Sequence, residues 1–430
     1  MREASSRGNP VRATLDYFAE VRRFSRNARL YLSYSLLSGL GTGIWIVMFN
    51  LYLLRLGYAT TFVGLFWMVD MLFHGMFAFP AGLIGDKIGR RKAFILGTVL
   101  SIVARGALLF VRDPETLLLL AAISGMGEGF HAVAGAPFMM ENSEPRERPH
   151  LFSLSASFGS ASLFVGSLSG GFLPLIWAGV ISVPDLDPAA ARWALVTALP
   201  LSLAALLPLG LMRERPVELV QSFKDLFTLR NIVNNDLIVR FTLCAVLSGI
   251  AFGITVRFFN LFFNMSHGLD DDQIGVYLAI GSLGSALAIL GSPYAMRKWG
   301  MARGIMITQL ISVPFLLLMA IFASLPVVVL MFVIRSSVYS VSMPLTTQLT
   351  MAFVEPKERA TTAGLTHTAF DVGGAAGAVV GGGLIVGGEF MTAFSVAAAL
   401  LAVPAILYYV FFHELETEER EAEEATVTAG

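Results

Sequence analysis

Long apolar runs recur along most of the chain, and short polar stretches separate them. Each run is about 20 residues or longer, which is the length that a helix needs to cross the hydrocarbon core of a bilayer. The fifth run is the least apolar because it is rich in serine and glycine. The runs cover residues 30–54, 60–84, 93–111, 115–140, 151–177, 193–212, 238–263, 273–295, 303–323, 326–351, 360–386 and 391–412. The pattern predicts an all-α membrane protein with twelve transmembrane helices.

The amino-acid composition agrees with a membrane protein. Hydrophobic residues make up 55% of the 430 residues and charged residues only 14%, whereas a soluble protein is about 25% charged. The formal net charge of −1 gives no indication of a nucleic-acid partner. A single cysteine, Cys244, excludes an intrachain disulfide. The partner that the composition predicts is therefore the lipid bilayer.

Three polar segments divide the chain. Residues 1–29 form a basic N-terminal segment, which is either an amphipathic helix on the inner membrane surface or a disordered tail. Residues 213–237 form the longest internal loop and are expected to act as a cytoplasmic linker. Residues 413–430 form an acidic tail, which we expect to be solvated and disordered. This division predicts one six-helix bundle in residues 30–212 and a second in residues 238–412.

The basic residues predict the orientation in the membrane. With both termini in the cytoplasm, 24 of the 30 lysines and arginines fall on the cytoplasmic side, three fall outside and three fall within helices. Membrane proteins concentrate Lys and Arg in cytoplasmic loops, and the reversed topology would invert that bias. We therefore expect a multi-pass protein of the plasma (or inner) membrane with both termini in the cytoplasm.

The chain repeats itself with an offset of 211 residues. The Gly-x6-Gly motif that begins at Gly57 recurs at Gly268, and residues 144–148 (EPRER) recur at 355–359 (EPKER). Each copy holds six apolar runs, and because six is even both copies have the same orientation in the membrane. Such a parallel repeat predicts two pseudo-symmetric six-helix bundles related by an axis along the membrane normal.

A short charged loop, residues 82–92 (GLIGDKIGRRK), lies between the second and third runs. Glycine permits a sharp turn, and the cations suit a cytoplasmic loop. The pattern G-x-x-x-D-[RK]-x-G-[RK]-[RK] closely resembles the loop between helices two and three of the major facilitator superfamily. The matching residues are Gly82, Asp86, Gly89, Arg90 and Arg91. The resemblance implies that Asp86 gates the transporter by pairing with a cation in one conformation only. The alternative is that these residues merely form the turn.

The resemblance implies the major facilitator fold, with helices five and eight, and two and eleven, forming the seam between the halves. It also implies a transporter rather than an enzyme. We expect secondary active transport of a small solute by alternating access, coupled to protons, in a monomer without a cofactor. The helices expected to line the cavity carry few polar anchors, which marginally favours export of an amphipathic or drug-like compound. Uptake of a small organic solute is one alternative, and a non-transporting receptor or scaffold is another.

Ionisable side chains within the predicted helices are few. Each costs about 3 kcal/mol on insertion scales and therefore marks a functional or structural site. Two of them, Asp70 and Arg105, lie at depths that allow pairing between adjacent helices, and we predict a structural role for that pair. The others are His74, Glu128, His131, Arg257, Arg335, His367 and Asp371.

In the family, helices one, four, seven and ten line the central cavity, which places Glu128 in helix four and Arg335 in helix ten at its wall. His131 lies three residues from Glu128 on the same helical face, so the two are candidates for a proton-carrying pair. Arg335 is expected to bind an anionic group, or to hold Asp371 or Glu128 as its counter-ion. The remaining candidates for substrate or proton binding are His367, Asp371 and Arg257. The alternative is a buried charge network that only maintains packing.

Two asparagines, Asn50 and Asn260, are related by the repeat and lie near the outer ends of helices one and seven. Each could gate the outer mouth by hydrogen bonding or cap its own helix, and the sequence slightly favours capping.

Motifs for other chemistry are missing from the sequence. The six histidines are scattered, which predicts no metal cluster. No glycine-rich phosphate loop ending in Lys-Ser or Lys-Thr indicates ATP-driven transport, and no nucleophile–base arrangement indicates an enzyme.

Overall fold

The computed structural model of the protein describes residues 24–144, 147–213, 236–354 and 359–429. The α-helices are α1 Arg26–Arg55, α2 Thr60–Ile88, α3 Arg90–Leu108, α4 Pro114–Glu141, α5 Arg148–Ile181, α6 Pro188–Ala204, α7 Leu206–Leu211, α8 Asp236–Thr255, α9 Phe259–His267, α10 Asp271–Ile289, α11 Ser292–Trp299, α12 Met301–Ile321, α13 Leu325–Phe353, α14 Arg359–Leu384 and α15 Phe390–Ala429. Short 3₁₀ turns follow α8 and α14. These elements confirm the predicted all-α fold.

Ten helical stretches in the described residues are long and apolar enough to cross a membrane. Helices α6 and α7 together form one of them, as do α8 and α9. The predicted third and eleventh spans are also helical, as α3 and α14, but are not among the ten. Helix α3 carries four cations in 19 residues, and α14 is rich in glycine and contains His367 and Asp371. The two predicted spans that are not among the ten therefore carry groups of the candidate site.

Repeat-related glycines form the seam between the two halves. A Cβ atom on Gly64 of α2 would lie 2.5 Å from the Ala378 carbonyl oxygen of α14, and one on Gly382 would lie 2.9 Å from the Gly64 Cα. Helices α5 and α10 meet in the same way, because a Cβ on Gly275 would lie 2.6 Å from the Gly171 Cα. The offset of 211 residues converts the pair Gly64–Gly382 into Gly275–Gly171. The two seams are thus copies of one contact, in which small residues allow backbones to approach closely.

Among the described residues, apolar side chains pack into one large core at one end of the molecule and into separate cores for each half at the other, with a further small cluster of Ala81, Ala93 and Phe130 in the first half. At the end that carries the loop 56–59, residues of both halves, such as Phe49 and Phe259, share a single large cluster. At the opposite end one cluster contains only residues between Phe24 and Met212, and another only residues between Phe241 and Phe412. We call these the closed end and the open end.

The charged loop of residues 82–92 turns at Gly89, which has φ of +99°. Its repeat mate Gly300 has φ of +80°. Both values lie in the left-handed region that favours glycine, which confirms the predicted turn. The side chain of Asp86 lies outside the described residues, so its gating role stays a prediction.

Arg90 and Arg91 of the same loop contact other helices of the first half. The Nε atom of Arg90 lies 3.5 Å from Glu141 at the end of α4. Arg91 donates hydrogen bonds to the carbonyl oxygens of Leu209 and Gly210 at the end of α7, at 3.1 and 2.6 Å. In this conformation the two arginines therefore link the helix ends of one bundle.

The prediction of a disordered acidic tail was wrong. Helix α15 continues without interruption to Ala429. Its residue Glu416 is buried and accepts hydrogen bonds from the backbone N–H groups of Met301 and Ala302 at 2.5 and 2.9 Å. A carboxylate at this position pairs with unsatisfied N–H groups at the start of α12 and with the positive end of the helix dipole. Of the other polar segments, residues 1–23 and 214–235 lie outside the described residues.

Candidate functional site: a cavity between the two halves

Two asparagines join the halves at the closed end. The Asn50 Nδ2 atom donates to the Asn260 Oδ1 atom at 3.0 Å and to the carbonyl oxygen of Arg257 at 2.6 Å. Asn260 Nδ2 donates in return to the Val47 carbonyl at 2.9 Å, and Trp67 Nε1 donates to Asn50 Oδ1 at 2.7 Å. The Arg257 carbonyl belongs to the 3₁₀ turn that breaks the helix between α8 and α9. The asparagines therefore bond across the seam, and the slight preference for capping is not supported.

A buried ion pair lies beside this network. Arg55, at the end of α1, donates to the Asp271 carboxylate in the first turn of α10 at 2.5 Å. The two side chains are 12% and 4% exposed. Thr60 adds a hydrogen bond across the other seam, to the Gly382 carbonyl at 3.0 Å. No role for Arg55 or Asp271 was predicted from the sequence. Each lies next to a predicted loop, where charged residues are common, and the two lie in different copies of the repeat.

The first half contributes a cavity of about 420 Å³. The charged groups in its wall are Arg105 of α3 and Glu128 of α4, which form an ion pair and are 18% and 31% exposed. The Nε atom of Arg105 is buried and has no hydrogen-bond partner. The pair leaves a charged carboxylate facing the cavity and one unused guanidinium donor beside it.

This ion pair corrects the predicted Asp70–Arg105 pairing. Helix α4 packs against both α2 and α3, and the Glu128 carboxylate reaches Arg105 first. Asp70 is buried on α2 with 4% exposure. It lies in the electrostatic range of Arg257 and Arg105 but makes an ion pair with neither. The depth of a residue along its helix could not show whether Asp70 or Glu128 is the acid that pairs with Arg105.

His131 is held by hydroxyl groups rather than by Glu128. Its Nδ1 atom lies 2.7 Å from the Tyr34 hydroxyl and its Nε2 atom 3.4 Å from the Thr98 hydroxyl. The ring also packs against the rings of Tyr34 and Phe94, with centroid distances of 5.7 and 5.8 Å. Glu128 and His131 line the same cavity, as their shared helical face predicts, and the proposal that they carry protons stays a prediction.

The second half contributes a cavity of about 410 Å³ whose polar lining is mainly hydroxyl and amide. The polar residues of its wall are Ser248, Gln309, Tyr339, Ser342, Thr346, Thr347, Thr350, Thr366 and His367. Four of them, at positions 339, 342, 346 and 350, recur at steps of three and four along α13. That spacing places them on one face, and it is the sequence signal that could have identified this wall.

Arg335 does not bind either predicted counter-ion. It is 5% exposed, and its guanidinium lies 5.1 Å from the Phe259 ring centroid and 5.3 Å from that of Tyr339. Among the described residues no carboxylate pairs with it, and its Nε atom has no hydrogen-bond partner. Helix α13 directs this side chain toward the aromatic core at the closed end, whereas Asp371 bonds elsewhere.

Arg257 is also surrounded by aromatic rings. Its guanidinium lies 4.2 Å from the Trp67 ring centroid and 5.8 Å from that of Phe252. Such cation–π contacts stabilise a buried cation without neutralising it. The structure thus places Arg257 and Arg335 in the closed end, above the cavity walls.

The two halves meet at a cluster formed by His74, His367 and Asp371. Asp371 Oδ2 lies 3.3 Å from Nδ1 of His74 on α2 and 3.0 Å from Nδ1 of His367 on α14. His74 lines the first cavity, and His367 lines both. From the sequence, His74 was identified only as an ionisable residue without a role, because its partners lie in the other half of the chain.

Comparisons with known proteins agree with this architecture. The sequence matches the model of the Major Facilitator Superfamily over residues 30–378 and 241–428. The nucleoside transporter NupG is similar in structure, with a TM-score of 0.70 and 17% identity over 90% of this chain and 99% of that one. A D-xylose–proton symporter has a TM-score of 0.72 and 13% identity over 92% and 98%.

One curated relative matches by sequence. It is the putative niacin/nicotinamide transporter NiaP of Bacillus subtilis (strain 168), which is 29% identical over 96 residues, or 22% of this chain and 24% of that protein. The family match covers both halves of the repeat and most of the described helices. The chain therefore belongs to the major facilitator superfamily.

Proposed function

We propose that the protein imports a small polar organic solute together with protons, by alternating access. The observation that carries this proposal is a pair of cavities, one in each half, that meet at His367 and carry hydroxyl and charged groups in their walls, beneath an end that is closed by bonds between the halves. Rocking of two bundles about such a site would expose it to each side of the membrane in turn.

The distribution of cations supports an orientation for this state. The closed end carries the three cations expected outside, which are Arg55 at the end of α1, Arg112 in the loop between α3 and α4, and Arg192 near the start of α6. Among the described residues, most of the other lysines and arginines lie at the open end. Cytoplasmic loops are enriched in these residues. In this orientation the closed end faces outward, and the structure is the state that is open to the cytoplasm.

The lining of the cavity supports a polar solute. The wall contributed by α13 presents a row of hydroxyl groups, and the opposite wall presents Tyr34, Thr98 and the Arg105–Glu128 pair. Hydroxyl-rich walls suit a solute that offers many hydrogen-bond partners, because a buried polar group without a partner is costly. The marginal preference for export of amphipathic compounds assumed few polar anchors, and the hydroxyl groups and the ion pair in these walls weaken that argument.

The proteins to which the chain is similar support the same class of solute. Their names specify a nucleoside, D-xylose with a proton, and niacin or nicotinamide. All four are small, polar and able to form several hydrogen bonds. We propose a sugar, a nucleoside or a pyridine carboxylic acid as the solute.

Proton coupling is assigned to Glu128 because this carboxylate both faces the cavity and neutralises Arg105. A charged Glu128 holds the guanidinium. A protonated Glu128 releases it, and Arg105 then donates to a carbonyl, hydroxyl or carboxylate group of the solute. The unpartnered Nε atom of Arg105 offers a second donor in the same place. Binding of the proton and of the solute would then favour each other.

The experiment is uptake into proteoliposomes of radiolabelled uridine, xylose and nicotinate with and without an inward proton gradient. The proposal expects gradient-driven accumulation of at least one solute. In Glu128→Gln the gradient should no longer drive accumulation, while exchange of solute across the membrane continues. The matched control is Glu115→Gln, which changes an exposed acid in the first turn of α4 and should behave as the wild type. Undiminished gradient-driven uptake by Glu128→Gln would refute the assignment, and efflux driven by the gradient would refute import.

A further inference from the structure

The cluster of His74, His367 and Asp371 has the composition of a metal site. We propose that it binds a divalent transition-metal ion, with Zn²⁺ the best fit, and that the bound ion holds the two halves in the present conformation. This inference rests on the geometry of the three side chains and does not depend on the proposed transport function. Two imidazoles and one carboxylate, with a fourth position open, form a donor set that zinc commonly uses.

The spacing of the donor atoms fits a single ion. At metal–ligand distances of about 2.0–2.1 Å, two ligands of a tetrahedral ion lie about 3.3–3.4 Å apart. The Asp371 Oδ2 atom lies 3.3 and 3.0 Å from the two histidine Nδ1 atoms, and the ligand atoms of all three residues lie within 4.8 Å of one another. The two imidazole rings are nearly perpendicular, at 87°. Two of the three separations already suit a tetrahedral ion, and rotation of the imidazole rings would bring the two nitrogens from within 4.8 Å to the same spacing.

The buried carboxylate of Asp371 faces both imidazoles. Its Oδ2 atom lies within ion-pair distance of both histidine Nδ1 atoms, but it accepts no hydrogen bond of good geometry. A buried carboxylate oxygen without a donor is costly, and a cation between the three residues would satisfy it.

The cluster has both rigid support and access. A Cβ on Gly75 would lie 2.8 Å from the Asp371 Cβ, and Thr368 donates to the Gly75 carbonyl at 3.0 Å, so α2 and α14 are held closely together here. The side chain of His367 is 46% exposed and lines both cavities. An ion could enter from the cavity and keep a water or solute atom as its fourth ligand. Nitrogen donors favour zinc and its neighbours over Mg²⁺ and Ca²⁺, which take oxygen ligands.

The ligands come from both halves, so a bound ion would link the two halves. His74 belongs to α2, and the other two ligands lie four residues apart on α14. An ion bound to all three links the halves near mid-membrane. It binds only while α2 and α14 lie side by side at this depth, and it therefore stabilises that arrangement.

The test is metal binding by the purified full-length protein, produced with an affinity tag that contains no histidine. Titration calorimetry with Zn²⁺ should give one site per chain, and Co²⁺ should give the visible absorption of a tetrahedral ion that Zn²⁺ then displaces. Loss of an outer partner of a metal ligand lowers affinity about 10- to 100-fold. His367→Gln, Asp371→Asn and His74→Gln, which each remove a ligand, should lower it at least as much. The matched control His413→Gln removes a histidine of α15 outside the cluster and should bind as the wild type does.

The effect of the bound ion on the conformation of the protein is measured separately. Spin labels at Leu211 and Tyr294, exposed residues of the two halves near the open end, should give a narrower distance distribution when Zn²⁺ is added to the wild-type background. His367→Gln should abolish that narrowing. No saturable binding by the wild type, or wild-type affinity in all three ligand variants, would overturn the site. Binding that leaves the distances unchanged would overturn the proposed link between the halves. Monodisperse elution of each variant shows that it is folded. The titration of the wild-type protein tests the metal site without any substitution.

Discussion

Replacement of Asp271 by asparagine should shift the protein away from the conformation described here. Arg55 and Asp271 are both buried, and together they connect α1 to α10 across the seam. A second guanidinium nitrogen of Arg55, NH1, is buried without a partner. In Asp271→Asn the arginine keeps at most a neutral amide oxygen as its acceptor in this state, and its charge is no longer neutralised. When the closed end opens, both groups are free to reach water.

The magnitude follows from this difference in burial. Removal of one partner of a buried ion pair costs about 3–5 kcal/mol, because the remaining charge stays desolvated. That cost applies only to the state in which the pair is buried. A shift of about 3 kcal/mol changes the ratio of two conformations by about 10²-fold. The favourable interaction of Asp271 with the N-terminus of α10 is present in both states and cancels from the ratio.

The assay is pulsed electron resonance between spin labels at Leu211 and Tyr294 in a background in which the single native cysteine, Cys244, is replaced by alanine. Opening of the closed end should close the open end and shorten this distance in Asp271→Asn. The double variant Arg55→Leu with Asp271→Leu leaves no unpaired charge and should shift the distribution much less. An unchanged distribution in Asp271→Asn, or an equal shift in the double variant, would refute this reasoning.

Two further predictions concern the seams and the tail. Gly64→Ala and Gly275→Ala each place a Cβ atom 2.5–2.6 Å from an atom of the facing backbone, so each should lower stability by about 1–3 kcal/mol as measured by melting in detergent. Gly179→Ala, which meets open space, is the control, and equal melting temperatures would contradict the seam geometry. Glu416→Gln removes the charge that caps α12 and should destabilise by about 1 kcal/mol. A lowered melting temperature that the exposed Glu418→Gln does not reproduce would confirm this role.

The closed end and the cavity use polar groups for different purposes. At the closed end, amides and an ion pair bond across the seam and exclude water, so each contact belongs to one conformation. In the cavity, hydroxyl groups on α13 bond to carbonyls of their own helix, as Thr346 does to Ser342 and Thr350 does to Thr346. Such local bonds satisfy the hydroxyl proton and leave the oxygen lone pairs for a solute.

The sequence by itself determined the properties that depend on local pattern. Apolar run length predicted the helices, because a segment in lipid must satisfy its backbone hydrogen bonds internally. The offset of 211 residues predicted that both halves share one orientation and that glycines recur at the seams, as Gly64 and Gly275 do. The turn at Gly89 followed from its residue type and its position between two runs. Each of these conclusions concerns a residue and its neighbours along the chain.

Only the tertiary structure decided which partner each buried charge has. Glu128, not Asp70, neutralises Arg105, and Asp371 lies within ion-pair distance of two histidines rather than of Arg335. A charge buried in lipid is costly without a partner, so the sequence predicts that most of these charges have one. Their identity depends on which helix faces are adjacent and at what depth, and residues far apart in the chain, such as His74 and His367, become neighbours only when the two halves pack together.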